Sequence, residues 1–295
     1  MSKPCLIAVV GPTGSGKTTV GRQLAEKFDG IIISADSRQV YAGLDVGTNK
    51  EGRSGQWHNL PARYIDEIPQ LLIDVARPGQ RFTLANWLDL TKQALEIIYA
   101  QDKLPIIVGG TGLYVTALVE NWQPPADNPK LRQKLEELSL EELDKLAGNL
   151  PVNDSDRLNR RRLVRIVERG GQSPIKIDPP YQALVLELTK SRDELYRRAE
   201  TRYQDNWPLL LEEVRHLMKQ GVSADWLHDL GLDYRVAMDF LNGTLTKDEA
   251  MVAYASTVHA YIRRQQTWWR HHGKVIRVEN FADADAETTR FLTES

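Results

Sequence analysis

The chain has 295 residues, 41% of them hydrophobic and 26% charged, with a formal net charge of −2. That length suits one large domain or two small ones, and the near-neutral balance excludes nucleic-acid binding by global charge while leaving a local basic face open. A single cysteine, Cys5, excludes an intrachain disulfide and a zinc knuckle, reads as a small buried hydrophobe, and points to a reducing cytoplasm. No apolar run approaches membrane-spanning length, so no membrane partner is expected. The short apolar stretch near the start runs into a glycine-rich loop and does not read as a signal peptide.

Leu6 to Val10 is an apolar run leading straight into Gly11-Pro12-Thr13-Gly14-Ser15-Gly16-Lys17-Thr18. This is the G-x-x-x-x-G-K-T signature of a phosphate-binding loop. Its glycines let backbone N–H groups turn inward around phosphate oxygens, and the helix starting near Lys17 adds the positive end of its dipole. Lys17 supplies a mobile positive charge, and the Thr18 hydroxyl suits a Mg²⁺ ligand. Thr19 to Phe28 carries Val20, Leu24 and Phe28 on one helical stripe, and Ile31 to Ile33 reads as a second strand. Strand, loop, helix and strand open a parallel α/β sheet.

Ser34-Ala35-Asp36-Ser37-Arg38-Gln39-Val40-Tyr41 follows that second strand. Ligands of open α/β sheets bind at the carboxyl ends of strands, so Asp36 should face the phosphate loop's pocket. A carboxylate there can hold Mg²⁺ through water, orient a hydroxyl or act as general base; Ser34 and Asp36 are equally suited to capping a helix.

From Gly43 to Arg81 the chain reads as loop-dominated, with Leu71 to Ile73 as a strand closed by Asp74. Trp87 to Tyr99 has helical spacing, and Leu104 to Val108 is a buried strand ending in Gly109-Gly110-Thr111-Gly112. That turn permits close backbone approach and offers the Thr111 hydroxyl to a ligand, or it is simply a tight strand-to-helix turn. Leu131 to Ala147 reads as one acidic helix, and Arg157 to Arg169 as a basic helix with Leu163, Ile166 and Val167 apolar, stopped by Gly170-Gly171. The one-signed charge of the second suggests a phosphate-rich partner.

Strand character returns at Val185 to Leu188. Ser191 to Tyr203 and Leu209 to Lys219 read as two helices, the first carrying Arg192 and Arg202 as candidate phosphate clamps. Another helix opens at Gly231-Leu232-Asp233-Tyr234-Arg235, and a long one spans Lys247 to Trp269, with Trp268 and Trp269 as base-stacking or core residues. Ile276 to Val278 is a final strand before a polar tail. His259, His271 and His272 have no metal-site spacing.

Taken together, Gly11 to Thr18, Ser34 to Tyr41, Gly43 to Thr48, Leu72-Ile73-Asp74, Gly109 to Tyr114, Pro124 to Asp127, Arg161 to Glu168, Tyr234-Arg235 and Arg263 to Arg270 resemble, in order, the motifs of the tRNA dimethylallyltransferases. The resemblance implies an α/β, P-loop nucleotide-kinase-like parallel-sheet core over 1–118 and 181–295. It also implies a helical insertion over 119–180 that grips the tRNA anticodon stem-loop. The loop would hold the diphosphate of dimethylallyl diphosphate with Mg²⁺. Asp36 matches the family's general base, Thr18 its magnesium-side hydroxyl and Thr111 a residue near the target nucleotide. Asp36, Ser37, Arg38, Gln39, Arg161, Arg162, Leu163, Val164, Arg165, Tyr234 and Arg235 match RNA-contacting stretches. The chain departs from the family at Pro69-Gln70-Leu71, at Asp156 to Asn159 and at Asp233 before the Tyr-Arg pair.

The implied reaction moves a dimethylallyl group to the N6 amine of an adenosine next to the anticodon and releases diphosphate, in the cytoplasm, with a monomer expected. Three other readings stay open on the residues. A P-loop small-molecule kinase would use the same loop with ATP, an adenylate isopentenyltransferase would use a free nucleotide as acceptor, and a non-catalytic RNA-binding module would only hold an anion there.

Overall fold

A computed structural model describes residues 3–272 and 274–295 of the chain. They form two compact units, one of residues up to Val119 together with those from Pro180 onward, the other of Glu120–Pro179.

In the first unit, β1 (Cys5–Val10) is followed by α1 (Lys17–Lys27) and β2 (Gly30–Ser34). Next come β3 (Arg53–Trp57), β4 (Leu60–Ile65), β5 (Ile68–Leu71), α2 (Leu84–Ala100), β6 (Leu104–Gly109) and α3 (Gly112–Val119). The second unit contains β7 (Trp122–Gln123), α4 (Pro129–Glu136), α5 (Leu140–Ala147), α6 (Asp154–Arg157), α7 (Arg160–Glu168) and β8 (Ile175–Lys176). The first unit resumes with β9 (Gln182–Leu188), α8 (Arg192–Lys219), α9 (Ala224–Asp229), α10 (Leu232–Leu241), α11 (Lys247–His271), β10 (Ile276–Val278) and α12 (Phe281–Glu294).

The main sheet runs β10-β9-β1-β6-β2-β5-β4-β3. Its pairs from β10 through β5 are parallel, and β4 and β3 extend it antiparallel. The parallel strands β1 and β2 are apolar along their length because helices cover both faces. Ile7, Val9, Leu24, Ile32, Ile106 and Leu186 form one core layer with α1 and α12. A second core, built on Leu195, Tyr203, Trp207, Val214, Tyr234, Tyr254 and Ile262, binds α8, α10 and α11 to the segment around Val40 and Leu44.

Several sequence expectations need correcting. The span expected to be loop-dominated holds three strands joined by two-residue turns at His58-Asn59 and Asp66-Glu67. All four turn residues have positive φ, between 45° and 65°, as type I′ hairpins require. The expected strand at Leu71 to Ile73 ends at Leu71, because Leu72 and Asp74 take positive φ. The acidic helix is two helices, since the Ser139 side chain caps α5 in a capping box with Glu142. The basic helix is likewise divided, with Asn159 capping α7. Conversely, the two helices expected on either side of Pro208 are one, α8, whose buried stripe from Leu195 to Leu217 outweighs the lost backbone hydrogen bond. The polar tail is α12, capped by Asn280 and anchored by the buried Ala284 and Thr288.

Candidate active site

The loop after β1 is shaped by Gly14 and Gly16, whose φ angles of 82° and 94° lie in the left-handed region, and Gly16 caps α1. Lys17 begins the helix and folds back, its Nζ donating to the Pro12 carbonyl at 3.0 Å. Burial pushes its ammonium down to about 8; Asp36 opposes the shift and Arg202 adds to it.

The loop lines a cavity of about 240 Å³ with Thr13, Gly14, Gly16, Lys17, Thr18 and Thr19 on one side and Asp36, Gln39, Thr48, Gly110 and Arg202 around it. A smaller cavity of about 70 Å³ shares Thr13, Lys17, Asp36, Thr48, Gly110 and Arg202 and adds Leu232, Asp233, Tyr254, Val258, Tyr261 and Gln265. Burial raises the Asp233 carboxyl, against the pull of Arg202 and Arg38.

Asp36 sits just past β2, held by local structure. Its Oδ1 accepts from the N–H groups of Arg38 (2.8 Å) and Gln39 (3.3 Å), closing an Asx turn. The buried Trp87 indole donates to the Ser34 carbonyl at 2.9 Å, and Trp87 stacks on Tyr114. This pins the end of β2, so the carboxylate faces the loop.

Five expected site residues, Thr111, Arg192, Tyr234, Leu163 and Val164, make contacts within the fold. Thr111 lines neither cavity; its Oγ1 accepts from the Ser37 N–H at 3.1 Å and its own N–H donates to Ala35 O, so it clips the backbone on both sides of Asp36. Arg202 lines both cavities, but Arg192 lines neither and donates to Gln266 Oε1 at 3.0 Å. They stand ten positions apart, about 15 Å along α8. Tyr234 is fully buried, 0% exposed, with its hydroxyl donating to Glu213 Oε1 at 2.7 Å. Glu213 in turn accepts from the N–H groups of Asp45, Val46 and Gly47, fixing the loop that carries Thr48 to the cavity. Leu163 and Val164 are buried in the second unit's own core with Leu135, Leu143 and Ala147. Trp269 is buried, and the Trp268 indole donates to Thr116 Oγ1, so this pair packs the fold.

Around Asp36, Arg38 donates through Nε and Nη2 to the Leu230 carbonyl, and Gln39 connects Ser34 Oγ to Thr48 O. Arg235 is exposed on α10. In the second unit, Arg161 and Arg162 are exposed on α7; Arg162 pairs with Asp156 at 3.1 Å, and Arg165 with Glu168 and Asp127. Beneath them Arg132 and Glu168 form a buried bidentate ion pair.

Gln265 was assigned no role from the sequence. From α11 its Oε1 accepts from Thr13 N–H and its Nε2 donates to Gly110 O, both at 2.9 Å, joining the phosphate loop to the β6 turn. Its only sequence signal is a glutamine inside the Arg263 to Arg270 stretch.

A parallel sheet whose first strand ends in a phosphate loop, with a carboxylate presented to that loop across a cavity, defines a P-loop group-transfer enzyme of nucleotide-kinase-like fold. The family model described as IPP transferase matches residues 39–272. The chain belongs to that family. It is 36% identical over 293 residues to the tRNA dimethylallyltransferase of a Roseiflexus species, covering 92% of each chain. It is 37% identical to that of Thermomicrobium roseum, over 92% of this chain and 84% of the relative. Among solved structures, the tRNA isopentenylpyrophosphate transferase of Bacillus halodurans superposes with a TM-score of 0.71 at 29% identity, over 99% and 96% of the two chains. The fold is shared with a eukaryotic dimethylallyltransferase captured acting on tRNA, with a TM-score of 0.72 at 21% identity and coverage of 98% and 77%.

Proposed function

We propose that this chain is a tRNA dimethylallyltransferase, which transfers the dimethylallyl group of dimethylallyl diphosphate to the N6 amine of an adenosine next to the anticodon. The observation that carries this reading is the cavity in which the phosphate loop and Asp36 face each other within a single chain of this family.

The amine of adenine is a weak nucleophile because its lone pair is delocalised into the ring, so it needs an activated carbon and a base. The amine nitrogen bonds to C1 of the allyl group as the C1–O bond to diphosphate breaks. Charge develops on the departing diphosphate, where the loop N–H groups, Lys17 and Arg202 stabilise it. Asp36 accepts the proton that the amine loses. Its Asx turn holds Oδ1 in place, so the base is oriented before substrate arrives.

Mg²⁺ fits the donors available. The cavity offers the Thr18 hydroxyl with Asp36 and Glu51, and among the described residues there is no cluster of three or more His, Cys, Asp or Glu side chains placed to hold a metal. An ion that keeps most of its waters and binds chiefly through substrate phosphates needs few protein ligands. When bound, it would neutralise diphosphate charge, with Thr18 as its protein ligand.

The acceptor is the anticodon stem-loop. Arg161, Arg162 and Arg165 on α7 supply phosphate contacts, Ser37, Arg38 and Gln39 adjoin Asp36 in the chain, and Arg235, exposed on α10, is a further RNA contact. Among the described residues no helix is long and apolar enough to cross a membrane, and the reading places the enzyme in the cytoplasm as a monomer.

The test is a transfer assay with dimethylallyl diphosphate, Mg²⁺ and three acceptors: unmodified tRNA, an anticodon stem-loop and AMP. The expected result is prenylation of tRNA and stem-loop but not AMP, with diphosphate released. No mass gain on tRNA would overturn the reading.

A further inference from the structure

Thr13 and Gly110 line both cavities and so mark the place where the two meet. Gln265 spans them there, 7% exposed, with one amide atom bonded to each. The approach is close: a Cβ on Gly110 would stand 2.4 Å from Nε2, so a side chain there would push the Gln265 amide out of place. Gln265 lines only the smaller cavity, whose wall also carries the apolar side chains of Leu232 and Val258 and the rings of Tyr254 and Tyr261.

A phosphate loop that serves a nucleoside triphosphate cradles two phosphates, while its lysine reaches toward the third. An allylic diphosphate has no third phosphate. Beyond its second comes a hydrocarbon that accepts and donates no hydrogen bond. A loop N–H or a turn carbonyl facing that hydrocarbon would be buried without a partner, which weakens binding by about tenfold per group.

We propose that Gln265 is the specificity-determining residue that fits the outer end of the phosphate loop to an allyl group rather than to a third phosphate. Its amide supplies an acceptor for Thr13 N–H and a donor for Gly110 C=O, so neither faces the hydrocarbon unpaired. The N–H of Thr13 is thereby withdrawn from phosphate binding, as that of Ser15 is by the Pro12 carbonyl, and the N–H groups of Gly14, Gly16, Lys17 and Thr18 remain for the diphosphate. Leu232 and Val258 lie on the same side as Gln265 and give the allyl group an apolar wall. The inference rests on the diphosphate reading above and deepens it, because it explains how a phosphate loop discriminates against the triphosphate ligands such loops commonly hold.

The experiment is calorimetric titration of wild type, Gln265→Ala and Gln265→Leu with three ligands: dimethylallyl diphosphate, inorganic diphosphate and inorganic tripolyphosphate. Gln265→Leu keeps the side-chain volume, so the measurement is made on a folded protein even if Gln265→Ala loosens α11; thermal melting checks both. In wild type, dimethylallyl diphosphate binds more tightly than tripolyphosphate. In the variants the ratio of tripolyphosphate Kd to dimethylallyl diphosphate Kd falls by at least about tenfold, while inorganic diphosphate affinity changes by less than about threefold. A ratio unchanged in a folded variant overturns the proposal and leaves the diphosphate reading standing. Wild type that binds neither diphosphate overturns both.

Discussion

At the scale of single residues, Asp36 has two roles that one substitution separates. Its Oδ1 closes the Asx turn over Arg38 and Gln39, and its carboxylate is the proposed base. Asp36→Ala removes both, so its effect would mix a misplaced backbone with lost proton transfer. Asp36→Asn keeps an oxygen acceptor for the turn and removes only the base. Turnover of Asp36→Asn is therefore expected to fall by about 10²- to 10⁴-fold, with donor affinity changed by less than about tenfold. Single-turnover kinetics beside a binding titration checks the split. Lys17 gives a second expectation, from pH. Its ammonium titrates at about 8 because burial disfavours the charge, so in the free protein it is a cation below that pH and neutral above it. Affinity for dimethylallyl diphosphate should be flat below about pH 8 and weaken above it as the proton is lost. Lys17→Arg, charged throughout that range, should carry the plateau to higher pH. An identical pH profile in the two proteins would exclude Lys17 as the titrating group.

At the scale of elements, Tyr234 is a motif residue whose side chain is built into the core. The Tyr-Arg pair stands out in the sequence at the opening of α10, yet the tyrosine is a core residue that steadies Glu213 and, through it, the loop from Asp45 to Gly47. Tyr234→Phe removes one donor to a carboxylate that keeps its three backbone N–H partners. It should cost about 1 kcal/mol of stability by denaturant unfolding and leave tRNA affinity within about threefold, whereas an RNA contact would show the reverse pattern. The same contrast explains what was legible beforehand. The parallel strands β1, β2, β6 and β9 announce themselves as apolar runs because helices bury both faces. Strand β3 is almost wholly exposed, and its turn uses His58-Asn59 where a glycine would have signalled a hairpin. The phosphate loop and Asp36 were readable because each lies within a few residues of a strand end. Gln265 was not, because its two partners lie 252 and 155 residues away and only the folded chain brings them together.

At the scale of the whole molecule, the insertion interrupts the first unit at a place where that unit already closes on itself. The Tyr181 hydroxyl, just after the insertion, donates to the Leu118 carbonyl, just before it, at 2.5 Å. At the next residue β9 starts, with Gln182 N–H donating to Pro4 O, and it stays paired with β1 through Leu186 and Glu187. The ends of the interruption are thus held by contacts belonging to the first unit alone. The second unit has its own small core and its own buried Arg132–Glu168 pair, so its stability is built largely from its own residues. Replacing 120–179 by a short Gly/Ser linker should therefore leave a folded first unit, because closing a short flexible loop between adjacent ends carries little entropy cost. That unit keeps the phosphate loop, Asp36, Arg202 and Gln265, so it should bind dimethylallyl diphosphate within about threefold of the full chain. It loses Arg161, Arg162 and Arg165, and with them the phosphate contacts proposed for the acceptor, so transfer to tRNA should fall to background. Calorimetry with the donor and a transfer assay on the same preparation read the two halves separately. Loss of donor binding would mean that the loop's cavity depends on the insertion, and undiminished transfer would remove the basic helix from RNA recognition.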